Sequence, residues 1–502
     1  MDETFHLTMR ALEWLTTIFV FLLGLGLLAV VVMFVVDVSQ TKHAIRRNYP
    51  VIGRFRYLFE RLGEFFRQYF FALDREEMPF NRAQRQWVYR ASKGVDETVA
   101  FGSTLKISTP GTPIFVNCPY PMLESEMQPA RPLRIGPGAR RPYDAPSFFN
   151  VSAMSYGSLS KPAVQALSRG SKIAGNWLNT GEGGLAEWHL EGGCDVVFQI
   201  GTAKYGVRDD GGRLSDDRLR AIAAHEQVRA IELKLSQGAK PGKGGILPGA
   251  KVTAEIAEIR GIPAGKDSIS PNRHPEIGSA ADLLDMIAHL RDTTGLPVGF
   301  KAVIGAWGWL DELFELVVER GIESAPDFIT VDSGDGGTGA APMSLIDNVG
   351  LPVKESLPLV VDKLCYYGLR ERVRVIASGK LINPVDAAVA LCLGADFVNS
   401  ARGFMFALGC IQALQCNKNT CPTGITTHNK RLQRGLVPAD KAERVARYSL
   451  SMRKEISTIA HSCGVPVPSR LQRYHCRIVQ DDGRSVPLDE LFPIVRPAYS
   501  PG

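Results

Sequence analysis

Residues 15–36 hold no charged side chain, and at 1.5 Å per helical residue such a run reaches about 33 Å, enough to cross the hydrocarbon core of a bilayer. The pattern predicts a membrane-crossing helix. A cleaved signal sequence is the rival, but its apolar region is shorter, and no small-residue cleavage site follows Asp37. Beyond the run, Lys42, Arg46, Arg47, Arg54, Arg56, Arg61 and Arg67 outweigh Glu60 and Glu64, whereas ahead of it Arg10 stands against Asp2 and Glu3. Positive charge marks the cytoplasmic side, so a single pass with the amino terminus outside and the main body in the cytoplasm is expected. Between residues 49 and 71 Phe55, Tyr57, Leu58, Phe65, Phe66, Tyr69 and Phe70 are interleaved with arginines. That mixture suits either a basic amphipathic segment on anionic lipid or an ordinary helix packed on the body of the protein.

Residues 80–101 read as a polar helical connector, and 103–150, rich in proline and glycine, as an irregular lobe with a few strands. From residue 148 the pattern becomes short apolar runs, mostly followed by helical stretches: 149–154, 177–180, 196–200, 230–235, 298–304, 328–332, 373–377 and 396–399. Such alternation predicts parallel strands covered by helices. Eight units suggest a closed barrel, with an open doubly wound sheet as the structural rival. The expected architecture is therefore α/β: a (β/α)8 TIM barrel with an N-terminal transmembrane helix and an irregular lobe leading into the barrel. Its divisions are an anchor at 1–40, a basic juxtamembrane and lobe segment at 41–147, a barrel at 148–465 and a tail at 466–502. A glycine- and lysine-rich excursion at 237–272 interrupts the rhythm, and loops of that length commonly carry function.

Composition narrows the field. Across 502 residues, 45% hydrophobic and 22% charged content with a net charge of +6 is ordinary, and nothing in it demands nucleic acid. Nine cysteines in so long a chain form no disulfide framework. Three of them, Cys410, Cys416 and Cys421, are spaced C-x5-C-x4-C with Pro422 directly after the third. Soft thiolate ligands suit an iron–sulfur cluster or zinc, and three without a close fourth suit a cluster lacking one iron corner, such as 3Fe–4S. His428 would complete a Cys3His zinc site, and buried free thiols are the third reading. A thiolate-held cluster places the main body in a reducing compartment.

In a parallel barrel the chemistry sits at the carboxyl ends of the strands. The predicted strands end in MSYGSLS at 154–160, NTGEGG at 179–184, DSGDGGTG at 332–339, SGK at 378–380 and SARG at 400–403, while Lys301 stands inside the fifth run. Glycines after strands seven and eight let backbone N–H groups approach a phosphate, and Arg402 adds a charge-assisted donor. A lysine within a strand needs a partner, because an unpaired buried ammonium is costly. The partner of Lys301 is a flavin's electron-rich edge, a substrate carboxylate, or a barrel acid such as Glu182.

MSYGSLS at 154–160, NTGEGG at 179–184, QGAKPG at 237–242, LPG at 247–249, ISP at 269–271, DGGTG at 335–339 and the cysteine run with Pro422 resemble the FMN-binding synthase domain of the glutamate synthase family over about 150–427. The resemblance implies a (β/α)8 barrel holding FMN beside a 3Fe–4S cluster on Cys410, Cys416 and Cys421. It implies L-glutamate made from 2-oxoglutarate and ammonia through 2-iminoglutarate, with hydride leaving the flavin and single electrons arriving through the cluster. Met154, Ser155, Asn179, Thr180, Glu182, Lys301, Asp335, Gly336, Gly337, Thr338, Gly379, Ser400 and Arg402 are expected around the cofactor. Lys301 and Glu182 are expected to be catalytic, and Gln237, Lys240 and Lys301 to bind substrate.

The chain departs from the family pattern where larger enzymes tend to carry an acid and an amide after Gly242; here Lys243 and Ile246 stand there. Asn272, Arg273 and His274 likewise replace a proline-histidine run after Pro271. No stretch resembles the glutaminase domain with which the large enzymes begin, so the amine is expected free or from a partner. No G-x-G-x-x-G lies between a strand and a helix, so a ferredoxin or a separate reductase subunit is expected to bring electrons. Lys418, Lys430, Arg431 and Arg434 are either a docking face for an acidic ferredoxin or plain solvated surface. Two other readings stay open: synthesis of N-methylglutamate or a related amino acid from another amine or oxo acid, and a membrane-associated flavin and iron–sulfur electron carrier.

Overall fold

The structure, a computed structural model, describes residues 2–95, 98–128 and 130–499. It divides into two compact units at residues 83/84. In the first, one helix, Asp2–Ser39, runs for 38 residues, and its stretch Phe5–Ser39 is long and apolar enough to cross a membrane. Short helices Ala44–Asn48 and Gly53–Phe66 follow.

The second unit is built on a closed barrel of eight strands: β1 (Phe149–Val151), β2 (Leu178–Asn179), β3 (Val196–Ile200), β4 (Val228–Lys234), β5 (Val298–Val303), β6 (Phe328–Asp332), β7 (Arg374–Ser378) and β8 (Phe397–Ser400). Every neighbouring pair is parallel, and β8 pairs with β1 through Val398↔Phe149, Asn399↔Asn150 and Ser400↔Val151. That closure removes the open-sheet alternative. The strands lie where the apolar runs predict them, because a strand covered on both faces reads as an unbroken apolar run. β1 stops at Val151 rather than Met154: the Ser155 carbonyl accepts from Ser158 N and Leu159 N at 3.1 and 3.0 Å, turning the chain out of the sheet.

Helices cover the barrel with local stop and start signals. Ser160, Ser279 and Asn383 cap Lys161–Ala174, Ala280–Thr294 and Pro384–Cys392, each accepting from a first-turn N–H, and glycines in the left-handed region end the first two. The 25-residue helix Pro438–Ser462 lies against Lys161–Ala174 so closely that a Cβ on Gly170 would stand 2.6 Å from the Ala442 carbonyl oxygen. The lobe before the barrel and the tail after it share one antiparallel sheet, with Pro113–Phe115 paired to Cys476–Val479 and that strand to Ser485–Pro487. The excursion at 237–272 is a hairpin of Ile246–Leu247 with Ser268–Ile269, enclosing helix Ala254–Arg260.

Inside the barrel a polar layer underlies the carboxyl ends of the strands. Buried Glu232 on β4 accepts from Asn179 Nδ2 (2.9 Å), Gln199 Nε2 (2.6 Å) and Thr330 Oγ1 (2.6 Å), so its carboxylate is satisfied by three other strands. Beside it Gly299 on β5 must lack a Cβ, which would lie 2.2 Å from the Phe328 carbonyl oxygen and 2.5 Å from its ring. Gly299→Ala is expected to destabilise the barrel by about 1–3 kcal/mol, the usual cost of overpacking, read as a lower urea midpoint at unchanged slope.

Candidate functional site

A cleft opens at the carboxyl ends of the strands. Lys234, Lys240, Lys251, Lys301, Lys380 and Arg402 line it, against Glu182 and Asp332 as carboxylates. Register sets two of the cations side by side: Lys301 on β5 is the neighbour of Lys234 on β4 and of Thr330 on β6. Lys301 Nζ lies 3.2 Å from Asp332 Oδ2, and Lys234 Nζ 2.9 Å from Glu182 Oε1. Lys301 therefore takes Asp332 as its partner and not Glu182. Burial works against the Lys301 charge, but Asp332, Glu232 and Glu182 outweigh it and hold its pKa above the ordinary lysine value. Burial likewise disfavours a charged Glu182, yet Lys234, Lys240 and Arg260 keep its carboxyl below the usual range.

Glycines make this crowding possible. A Cβ on Gly245 would stand 2.4 Å from Glu182 Oε1, one on Gly201 2.7 Å from Oε2, and one on Gly238 2.1 Å from the Ser333 carbonyl oxygen. Gly238 N donates to Asp332 Oδ2 at 2.9 Å, tying the long hairpin to β6. Gln237 accepts from Lys234 and donates to Thr338 Oγ1 at 3.0 Å. Lys240, three residues on, is only 5% exposed, and its ammonium has no hydrogen-bond or ion-pair partner among the described residues. Burial, and then the neighbouring Lys234, bring its pKa down to about 8.

The far wall is made of backbone and cations. Gly379 has φ +116°, and a Cβ there would lie 2.3 Å from Ser333 Cβ, so only glycine lets β7 turn beside β6. Lys380 Nζ lies 2.9 Å from Asp335 Oδ2, and Ser333 donates to the same carboxylate. Arg402 donates to the Thr338 carbonyl oxygen, and a Cβ on Gly337 would be 2.8 Å from its Nε. Met154, Ser155, Thr338, Gly379 and Ser400 line the same space. Asn179 and Thr180 lie beneath it with their side chains engaged by the barrel: Asn179 by Glu232 and Gly181 N, Thr180 by Gly181 O and Gln199 N. Glycine backbone beside Lys380 and Arg402 is the chemistry a phosphate requires, so these residues fit the phosphate end of FMN.

The cysteine loop adjoins the cleft through Cys416. Arg402 Nη1 lies 3.9 Å from Cys416 Sγ, and buried Lys251 donates to the Ser158 and Cys416 carbonyl oxygens at 2.9 and 3.3 Å. Gln412, Leu414 and Asn419 all have φ between 53° and 58°, unusual for residues with a Cβ. Three thiols on one loop meet the donor requirement of a cluster, although among the described residues no three His, Cys, Asp or Glu side chains are grouped to hold a metal ion. Each sulfur is instead engaged locally, Cys410 Sγ by Gln412 N at 3.4 Å and Cys421 Sγ with Thr423 Oγ1 at 3.4 Å. His428, the candidate fourth ligand for zinc, donates from Nε2 to the Gly157 carbonyl oxygen at 2.8 Å.

The family described as "Conserved region in glutamate synthase" matches residues 138–466, the barrel and the cysteine loop together. The chain belongs to the glutamate synthase family. It is accordingly an oxidoreductase of the class acting on CH–NH2 donors. The glutamate synthase large subunit-like protein YerD of Bacillus subtilis is 39% identical, over 94% of this chain and 97% of its own. An archaeal-type glutamate synthase [NADPH] of Dehalococcoides mccartyi is 34% identical over 66% of this chain, which spans 63% of that relative's length. The glutamate synthase [NADPH] large chain of B. subtilis is 33% identical over 61% of this chain and 19% of its own. Among solved structures, a mandelate oxidase with (S)-4-hydroxymandelic acid covers 78% of this chain and 98% of its own at 16% identity and TM-score 0.45, a likeness too slight to argue from.

Sequence reasoning missed Lys234, Glu232 and Lys251. The first two had a signal: in the run AIELKL at 230–235, Glu232 and Lys234 are two apart and so share the barrel's inward face, as Lys301 does in its own run. With a pKa of about 8, Lys240 is expected to be among the lysines acylated fastest as pH rises from 7 to 9. Peptide mapping after brief amine labelling should show that step at Lys240, and added dicarboxylate should suppress it.

Proposed function

We propose that the protein makes L-glutamate from 2-oxoglutarate and ammonia by reducing 2-iminoglutarate, with FMN in the cleft and a 3Fe–4S cluster on Cys410, Cys416 and Cys421. The observation that carries this reading is Lys240, a buried ammonium without a partner facing a cleft already rich in positive charge. Such a group calls for an anion, and a dicarboxylate beside a phosphate supplies enough negative charge for the whole site. When bound, FMN supplies the hydride, and the cluster the one-electron route by which the flavin is reduced.

The protein's own part is to bind, orient and neutralise. Gly337, Thr338, Gly379, Lys380, Ser400 and Arg402 would receive the phosphate, with Asp335 holding Lys380 in place and Gly336 leaving room for the turn. Met154 and Ser155 would flank the ring, and Asn179 and Thr180 would support its floor through the polar layer. Lys240 and Gln237 would hold the substrate's carboxylates. Lys301, kept charged by Asp332, would stabilise negative charge on the ring and a nearby carboxylate oxygen. Glu182, kept ionised by Lys234, suits an acceptor for the imine N–H better than a proton donor. Loss of water from 2-oxoglutarate and ammonia forms the imine, and one hydride and one proton complete glutamate.

The amine has a second reading. Ile246, where larger relatives tend to carry an amide, places an apolar side chain on the cleft wall, which favours an alkylated amine such as methylamine over ammonia alone. The electron-carrier reading gives Lys240 nothing to bind. The helix Phe5–Ser39 would anchor the protein in a single pass with the catalytic unit in the cytoplasm, where a ferredoxin or a reductase subunit would deliver electrons.

Anaerobic protein given reduced ferredoxin, 2-oxoglutarate and ammonium is expected to release glutamate, and with methylamine N-methylglutamate. A yellow flavin spectrum and three irons per chain should accompany activity; colourless, iron-free protein would refute the reading. Lys301→Met is expected to lower kcat about 100- to 1,000-fold, as for loss of one preorganised electrostatic donor. Lys240→Ala should instead raise KM for the oxo acid about tenfold or more, the worth of one charge-assisted bond.

A further inference from the structure

The segment that follows the membrane-length helix has a face that nothing in the catalytic reading uses. In helix Gly53–Phe66, Phe55, Leu58, Phe59, Leu62, Phe65 and Phe66 recur at the i, i+3, i+4, i+7 spacing of one helical face. All six are exposed, Phe59 to 64% and Phe55 to 53%. At 100° per residue, Arg54 and Arg61 fall along one edge of that face and Arg56 along the other. The apolar stripe continues past the helix in Tyr69 and Phe70, both exposed, with ring pairs Phe65–Tyr69 and Phe66–Phe70 at 4.8 and 5.5 Å.

Where this face sits is fixed by a buried clamp. Asp37, the first charge after the apolar run, is 1% exposed; its two oxygens each accept from Arg54 at 2.8 Å, and Oδ2 also takes Val51 N at 3.0 Å. Arg46 stacks over the Tyr57 ring at 4.8 Å, and a Cβ on Gly53 would lie 2.9 Å from the Ile45 carbonyl oxygen. These contacts make the end of the long helix, the Ala44–Asn48 turn and the start of Gly53–Phe66 one elbow. The apolar face therefore begins at the depth where a membrane-spanning run ends.

The geometry points to residues 53–71 as an interfacial segment that docks on the anionic lipid surface around the protein's own membrane helix. Phenylalanines enter the acyl boundary, and Arg56 and Arg61 extend their charges to lipid phosphates. Two observations select lipid over another protein face: covalent and clamped continuity with a membrane-length helix, and arginine on both edges of the stripe. Lys42 and Arg47, exposed at the elbow, add to the same positive surface.

The test uses the full chain in nanodiscs, with the photo-crosslinker benzoylphenylalanine at position 59, at 62 as a second site, and at 60 on the opposite face. Illumination should give lipid adducts from 59 and 62 and few from 60. Adducts should be several-fold more abundant in phosphatidylglycerol-containing discs than in phosphatidylcholine alone. Arg56→Gln with Arg61→Gln should remove most of that preference, since each basic residue near an anionic surface adds to the attraction. Cross-links from 59 and 62 to the catalytic unit or to a second copy would overturn the proposal. So would equal lipid labelling from 59 and 60, or yields from 59 that ignore the lipid charge.

Discussion

Ammonium groups crowded into the mouth of a barrel set the terms for everything around them. Lys234 and Lys301 are neighbours on adjacent strands, and like charges at that range in a partly dry site repel strongly. Each stands against a carboxylate, Glu182 for one and Asp332 for the other. Placing those carboxylates needs room, and the room comes from glycines on two separate loops. Gly201 and Gly245 clear the space around Glu182, and Gly238 brings the hairpin close enough to bond Asp332. Glycine here is a packing requirement of an ion pair more than a freedom of the backbone.

Not every cation in the cleft has such a partner. Lys240 is buried with the others and forms no ion pair with a carboxylate, and burial first, then the nearby Lys234, lowers its pKa. A structural ion network would have closed on itself. A gap of this kind is the mark of a site whose last counter-charge arrives with a ligand, and it orders the catalytic reading: anion capture first, hydride chemistry above a floor of Glu232, Asn179, Gln199 and Thr330 that is already satisfied.

The barrel was legible because the physics that closes it also marks the sequence. Strands shielded on both faces read as unbroken apolar runs, and a polar residue inside one, such as Lys301, stands out as functional or paired. The glycines at 337 and 379 were marked by their place beside strand ends, but the contacts differ: a Cβ at Gly379 would meet Ser333 just after β6, whereas one at Gly337 would meet the Arg402 side chain. Which acid answers Lys301 was not legible, since Asp332 and Glu182 are both acids at strand ends and only register decides between them. Glu232 and Lys234 were overlooked because one long apolar run was read as a unit instead of as two alternating faces. The three-residue strands of Pro113–Phe115 and Ser485–Pro487 carry too few residues for any period, and the first pairs with Cys476–Val479 across most of the chain.

The cysteine loop is the place where local preference yields most visibly to something else. Gln412, Leu414 and Asn419 hold left-handed conformations that cost each of them roughly 1–3 kcal/mol unless the surroundings compel it. Packing does not compel it at Leu414, which is 67% exposed. What the turns accomplish is to set Cys410, Cys416 and Cys421 on one loop against a wall of fixed positive charge, with Arg402 at the Cys416 sulfur and Lys251 on its carbonyl. The thiols are not alike in that field. Burial pushes Cys410 up to about 11, while at Cys421 hydrogen bonds from Thr423 and Thr426 overcome burial and lower it.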